Sequence, residues 1–138
     1  MDAKKLKTES TTIQKECLFR VQIPADDVSK VLETIVNITP LKYGNYEQVV
    51  FRYSTGIQQY RPLVGSKTGG AELIHIPCDE ISFTVPKHDE VITAVIEAIF
   101  ESHPHEEPVI LIQEVICTRF KYGQTKDTPP KREIRNNS

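Results

Sequence analysis

The chain has no long apolar run. In 138 residues the longest unbroken one is Val109 to Ile112, far short of the roughly 20 residues a helix needs to cross a bilayer. A transmembrane helix is therefore not expected. The start, Met1 to Lys7, carries basic residues but leads into polar Thr, Ser and Glu rather than an apolar stretch. A secretory signal is not expected either, and the expected compartment is the cytoplasm. Cysteine is also scarce. Cys17, Cys78 and Cys117 are far apart and form no CxxC pair, which argues against a disulfide scaffold and a zinc knuckle. Cys17 and Cys117 fall in strand-like runs and read as small buried filler. Cys78 follows Pro77 at an expected bend, with no adjacent base in the sequence.

Several catalytic signatures are missing as well. Gly65-Ser66-Lys67-Thr68-Gly69-Gly70 lacks the glycine and lysine order of a nucleotide-binding P-loop, so a Walker-type NTPase is rejected. What remains for that segment is a loop using Lys67 and backbone N–H groups to hold an anion. No Ser/His/Asp or Cys/His order stands out. Glu106 and Glu107 are adjacent and point apart in an extended chain, which weakens a paired-carboxylate mechanism.

Charge is unevenly placed. The total is −2, from 17 Lys and Arg against 19 Asp and Glu. Residues 121–138 carry +3 and residues 1–16 carry +1, so the intervening body has 8 basic and 14 acidic residues and a net of −6. Such a body repels phosphate backbones, and nucleic acid is not an expected partner. With Gly123, Pro129, Pro130, Asn136 and Asn137 beside its charges, the end 121–138 reads as a flexible basic tail. Residues 1–15 are polar and aperiodic and read as a flexible lead. A single domain is expected over residues 16–120.

Within that domain the periodicity changes in a repeated order. Cys17, Phe19, Val21 and Ile23 alternate with other side chains, the signature of a half-buried strand, and Pro24 ends it. Asp26 or Asp27 then caps a helix with an apolar stripe at Val28, Val31, Leu32 and Ile35, stopped at Thr39-Pro40. Tyr43 to Tyr46 is a turn signal. Val49, Phe51 and Tyr53 give a second strand, with a hairpin arm from Ile57 to Leu63 expected beyond Ser54-Thr55-Gly56. A third strand runs from Leu73 to Val85, bent at Pro77-Cys78-Asp79. Pro86 and a helix from about Asp89 repeat the first half, giving a βαβ–βαβ pattern with both helices on one face of an antiparallel sheet. The last strand, Val109 to Phe120, is apolar on both sides. Two helices cover only one face, so the other is expected to be covered by a second copy of the chain.

The densest polar cluster is Glu101-Ser102-His103-Pro104-His105-Glu106-Glu107-Pro108. Imidazoles and carboxylates are normal ligands for Zn²⁺, Cu²⁺ or Ni²⁺, so His103, His105, Glu106 and Glu107 are the candidate metal ligands. The structural alternative is that Pro104 stops the helix, His103 interacts with its C-terminal dipole, and the glutamates are solvated or cap local amides.

Taken in order, Gly44-Asn45-Tyr46 with Val49 and Phe51, then Tyr60-Arg61-Pro62-Leu63 with Gly65, then Ile81 to Pro86, and finally Ser102 to Pro108, resemble the YqfO-like domain. This is the PII/CutA-like module inserted in dinuclear-metal NIF-type proteins, which also occurs alone. The resemblance spans about residues 17–120. It implies an α+β, ferredoxin-like βαββαβ sandwich with an antiparallel sheet, similar to PII and CutA proteins that associate as trimers through their sheets. The metal site of the larger family members lies in flanking domains not represented here, so hydrolase activity is not carried over. Where an aromatic usually follows the first proline of the HPxEEP segment, this chain has His105.

The expectation is a non-enzymatic, trimeric module that binds a small ligand or a divalent cation between subunits. Tyr46, Arg61 and Lys67 are the ligand-binding candidates, with Arg61 facing an anionic group and Tyr46 offering a stacking face. The alternative is a subunit that docks on a partner protein through loop residues 56–70. A metal-assisted hydrolase ranks third.

Overall fold

A computed structural model describes residues 1–66 and 72–121. Lys67, and all of the expected basic tail but Lys121, lie outside the described residues. The elements run β1 (Thr11–Pro24), α1 (Val28–Ile38), β2 (Phe51–Tyr60), β3 (Ile74–Pro86), α2 (Asp89–Ser102) and β4 (Ile110–Phe120). The four strands form one sheet in the order β2-β3-β1-β4, and every pairing is antiparallel. This is the βαββαβ ferredoxin-like arrangement.

Each half is built as its sequence directs. Pro24 lacks an N–H and ends β1, a single turn over Ala25–Asp27 follows, and α1 begins at Val28. Asp27 occupies the N-cap position, but its side chain makes no capping hydrogen bond, so the expected acid cap is not formed. In the second half Pro86 ends β3, and Asp89 and Glu90 sit in the first turn of α2, where negative charge complements the helix dipole. Val28, Val31 and Ile35 of α1 and Val95 and Ile99 of α2 are fully buried against Phe19, Val21 and Ile23 of β1 and Ile81 and Val85 of β3. Phe19 stands directly opposite Phe83 in the ladder, and their rings stack with centroids 5.2 Å apart.

Two expectations are corrected. First, Thr11–Lys15, assigned above to a flexible lead, is strand: Thr11 pairs with Phe120, Ile13 with Thr118 and Lys15 with Ile116. This pairing is non-local, and the polar residues beside Ile13 hide it from any periodicity test. Second, Ser54-Thr55-Gly56 is not a turn. β2 runs through it with a register shift between Tyr53 and Gly56, a bulge that absorbs the turn-like residues. The sheet face turned from the helices mixes apolar and polar side chains. Its rows read Phe51–Ser82–Arg20–Leu111 and, one step along, Tyr53–Glu80–Gln22, ending at Val109, whose carbonyl accepts from the Gln22 N–H. In these two rows apolar side chains stand on the outer strands and polar ones in the middle, whereas the neighbouring row Thr84–Leu18–Gln113 reverses that order. Phe51 (59% exposed), Tyr53 (58%) and Leu111 (52%) are open to solvent in the single chain.

No helix among the described residues is long and apolar enough to cross a membrane.

Candidate functional site at the base of the β2–β3 hairpin

Beyond Pro24, which pairs with Cys78, β2 and β3 continue as a two-stranded ribbon: Gln58 pairs with Ile76, Gln59 with His75 and Tyr60 with Ile74. The segment after α2 packs against this ribbon, with the His105 ring on Tyr60 of its last pair. Pro104 ends α2, whose last bond is His103 N–H to the Ile99 carbonyl at 2.8 Å. The His103 ring turns inward and is buried. Its Nε2 lies 2.7 Å from the Gln22 carbonyl oxygen, and its Nδ1 accepts the His105 backbone N–H at 3.0 Å. Because Nδ1 is an acceptor, the ring is neutral with its proton on Nε2, which donates to Gln22. Burial is the main cause holding the His103 pKa below its ordinary value, and the neighbouring His105 pushes the same way. Hydrogen bonding to the Gln22 carbonyl acts in the opposite sense.

This geometry decides what the histidines can do. A metal ligand needs a free imidazole lone pair, and that of His103 is committed to the backbone. His103 is therefore a structural pin joining β1, α2 and the following loop. The His105 ring is half-buried, 5.0 Å from the His103 ring and edge-on to the Tyr60 ring at 5.7 Å. Glu106 and Glu107 are exposed directly after it. Among the described residues no group of three or more His, Cys, Asp or Glu is placed to hold a metal ion. Arg61 is exposed beside Tyr60, just past the last pair of the ribbon at its loop end.

Tyr46 is not brought there. It closes a short turn with Tyr43, each backbone N–H bonded to the other's carbonyl. The Arg119 guanidinium lies 3.6 Å above the Tyr43 ring centroid. Arg119 pairs with Thr12 at the start of β1, whereas His103 bonds Gln22 near its end. Ten strand residues separate those points by about 30 Å. Within one chain Tyr46 and the histidine segment thus occupy opposite ends of the sheet.

Beside the histidine segment lies a cleft of about 320 Å³ whose wall includes Gln22, Tyr53, Ser54, Thr55, Asp79 and Glu80. It forms where the β2 bulge leaves Ser54 and Thr55 opposite Asp79, between the Tyr53–Glu80 and Gly56–Cys78 pairs. Gln58 Nε2 donates to Gln22 Oε1 at 2.9 Å, linking the ribbon to β1 next to His103. Asp79 is 1% exposed. Arg52 Nε donates to its Oδ2 at 2.6 Å, while another Arg52 nitrogen donates to the Ala25 carbonyl at 3.2 Å. The guanidinium fork is thus split rather than bidentate, and Asp79 Oδ1 is left without a partner. Sequence reasoning missed this residue as a site candidate. The signal was present, since Asp79 continues the core phase of Ile81, Phe83 and Val85, and an acid in that phase requires a reason.

The fold is that of CutA- and PII-like structures. No protein-family model and no curated protein sequence matches the chain. Among solved structures it is similar to a NIF3-related protein of Bacillus cereus, with a TM-score of 0.61 and 20% identity, over 82% of this chain and 30% of that one. The chain thus spans less than a third of that protein's length. It is also similar to the divalent ion tolerance protein CutA1 of Ehrlichia chaffeensis, with a TM-score of 0.52 and 13% identity, over 78% of this chain and 84% of that one. GlnK of B. subtilis, solved in complex with ATP, superposes with a TM-score of 0.50 and 11% identity, over 73% of this chain and 82% of that one. At these identities the likeness is one of fold.

Proposed function

We propose that this chain is a non-enzymatic, self-associating binding module. Copies pack as a trimer through the uncovered sheet face, and a small ligand is held where the ribbon base of one copy meets a neighbour. The observation that carries this is the face itself. Phe51, Tyr53, Val109 and Leu111 remain open to solvent, whereas Phe19, Val21, Ile23, Ile81 and Val85 on the helix-covered face are fully buried. Exposed aromatic side chains of this size favour burial by about 1.5–3 kcal/mol each. The polar midline holds both Arg20 and Glu80, so two copies offer each other complementary charges as well as apolar rims. Association also answers the separation of Tyr46 from Arg61 and His105, because a ring of copies brings the end of one chain to the opposite end of the next.

The ligand classes to try follow from the fold relatives, one a divalent ion tolerance protein and one bound to ATP. A divalent cation would need donors from more than one copy, His105, Glu106 or Glu107 of one chain joined by those of a neighbour, since His103 is engaged with backbone and no three described donors of one chain converge. An anionic ligand would rest on Arg61. Light scattering across a concentration series tests the assembly. The wild-type chain is expected at three times the monomer mass, and Phe51→Ser with Tyr53→Ser at the monomer mass with an unchanged far-UV spectrum. A wild-type monomer at every concentration overturns the reading, and a stable complex with a partner protein in place of self-association would support the docking alternative.

A further inference from the structure

The sheet face turned from the helices holds two charges that the chain itself leaves unpaired. Strand alternation places Glu16, Arg20, Glu80 and Arg119 on that face. Glu16 and Arg119 satisfy each other. Arg20 and Glu80 form no ion pair with any described residue. Arg20 stands opposite Ser82 and Glu80 opposite Gln22, which makes them diagonal neighbours on adjacent strands, yet they do not meet. In a single chain this costs little, because Arg20 is exposed and Glu80 half-buried, so water solvates both charges. Exposed Phe51, Tyr53 and Leu111 share their rows. A second copy that covers those apolar side chains takes the water from the two charges as well.

From this we infer that Arg20 of one copy pairs with Glu80 of the next, and that this pair sets the register in which copies recognise one another. The inference rests on the proposed self-association and names the residues that make it specific. Three considerations carry it. A charge taken out of water without a partner is strongly destabilising, and among the described residues Glu80 is the one unpaired acid on this face. The apolar side chains do not define a register by themselves. Phe51 and Tyr53 occupy successive rows of the same strand, so sliding one sheet over another exchanges one ring for the other, whereas the same slide sets Arg20 against apolar side chains. Like charges also discriminate: a packing that lays each residue on its own copy puts Arg20 on Arg20 and Glu80 on Glu80, and both contacts repel. In a closed ring each copy instead gives its Arg20 to one neighbour and its Glu80 to the other.

The test is charge exchange in the full chain, read as mass in solution by light scattering across a concentration series. Arg20→Glu and Glu80→Arg are made separately, mixed in equal amounts, and combined in one chain. Each alone is expected to need at least about a hundredfold more protein to assemble than the wild type, with an unchanged far-UV spectrum. The mixture is expected to associate at lower concentration than either variant alone, because each supplies the charge the other lacks, and the chain with both substitutions to assemble as the wild type does. Arg20→Gln and Glu80→Gln keep the test decisive should a reversed charge disturb folding. Each is expected to weaken assembly about tenfold, and the two together by less than the product of the single losses; losses that multiply overturn the inference. Single reversals that assemble as the wild type does overturn it and leave self-association standing. Rescue in the doubly substituted chain but not in the mixture overturns it too, since it places the pair within one chain, and so does a loss that neither rescues. A wild-type chain that stays monomeric overturns the inference together with the self-association reading.

Discussion

The His103 pin should make the stability of this protein depend on pH in a way that one substitution removes. The ring donates through Nε2 to the Gln22 carbonyl at 2.7 Å and accepts the His105 N–H at Nδ1, 3.0 Å away. Both partners are backbone groups, so deletion of the ring orphans a carbonyl and an amide at the junction of β1, α2 and the ribbon. An unsatisfied buried group costs about 1–3 kcal/mol, so His103→Ala, which orphans two, should destabilise by about 2–6 kcal/mol. The pH effect follows from the acceptor role. Protonation of Nδ1 turns it into a donor facing the donor His105 N–H, and burial already holds the folded pKa below its ordinary value. In the unfolded chain the same imidazole titrates near pH ~6.5. Between the two pKa values the unfolded state binds more protons, so this contribution is intact above pH ~6.5. It is lost as pH falls toward the folded pKa, at a limit of about 1.4 kcal/mol per pH unit. Urea melts of the wild type and of His103→Gln between pH 5 and 8 isolate it, because the carboxylates titrate alike in both. The wild type should lose stability relative to the variant as pH falls. Parallel pH curves would refute the assigned proton position and the pin with it.

Other outcomes follow from separate clusters. Buried Glu16 accepts from Arg119 and from the Cys117 thiol at 3.3 Å, and Arg119 covers Tyr43. Arg119→Ala should therefore cost about 2–4 kcal/mol in denaturant melts and raise amide exchange in the Tyr43–Tyr46 turn, whereas unchanged exchange there would separate the turn from the ion pair. The three thiols are buried, and burial is the main cause pushing each of their pKa values up. A thiolate-selective reagent at pH 7 should label none of them until the chain is unfolded, and rapid labelling of Cys78 in the native state would refute its burial at the edge of the cleft. The exposed pair Lys87–Glu114 at 2.9 Å should prove nearly silent on Lys87→Met, within about 0.5 kcal/mol; a larger loss would mean that it is shielded in the assembly.

The amino-acid sequence alone determined the local elements wherever one face had to be buried. Phe19-Val21-Ile23 with Pro24, and Phe83-Val85 with Pro86, are strand patterns ended by a residue that cannot donate. The stripes that follow are helical because their spacing fits only that period. The repeat of strand, proline and helix was enough to put both helices on one face. Pairing decided the rest. Thr11–Lys15 is strand because β4 supplies a partner far along the chain, and Ser54-Gly56 is a bulge because β3 runs past it, though its composition is that of a turn. Chemistry was divided in the same way. The sequence gathered the two histidines by proximity, but only the tertiary structure placed the Gln22 carbonyl against His103 and so converted an apparent ligand into a structural donor. It also set Asp79 beside Arg52 and the bulge, residues remote in sequence. Hydrophobic period is a property of a few consecutive residues, whereas hydrogen-bond partners and cavities depend on which distant segments the sheet brings side by side.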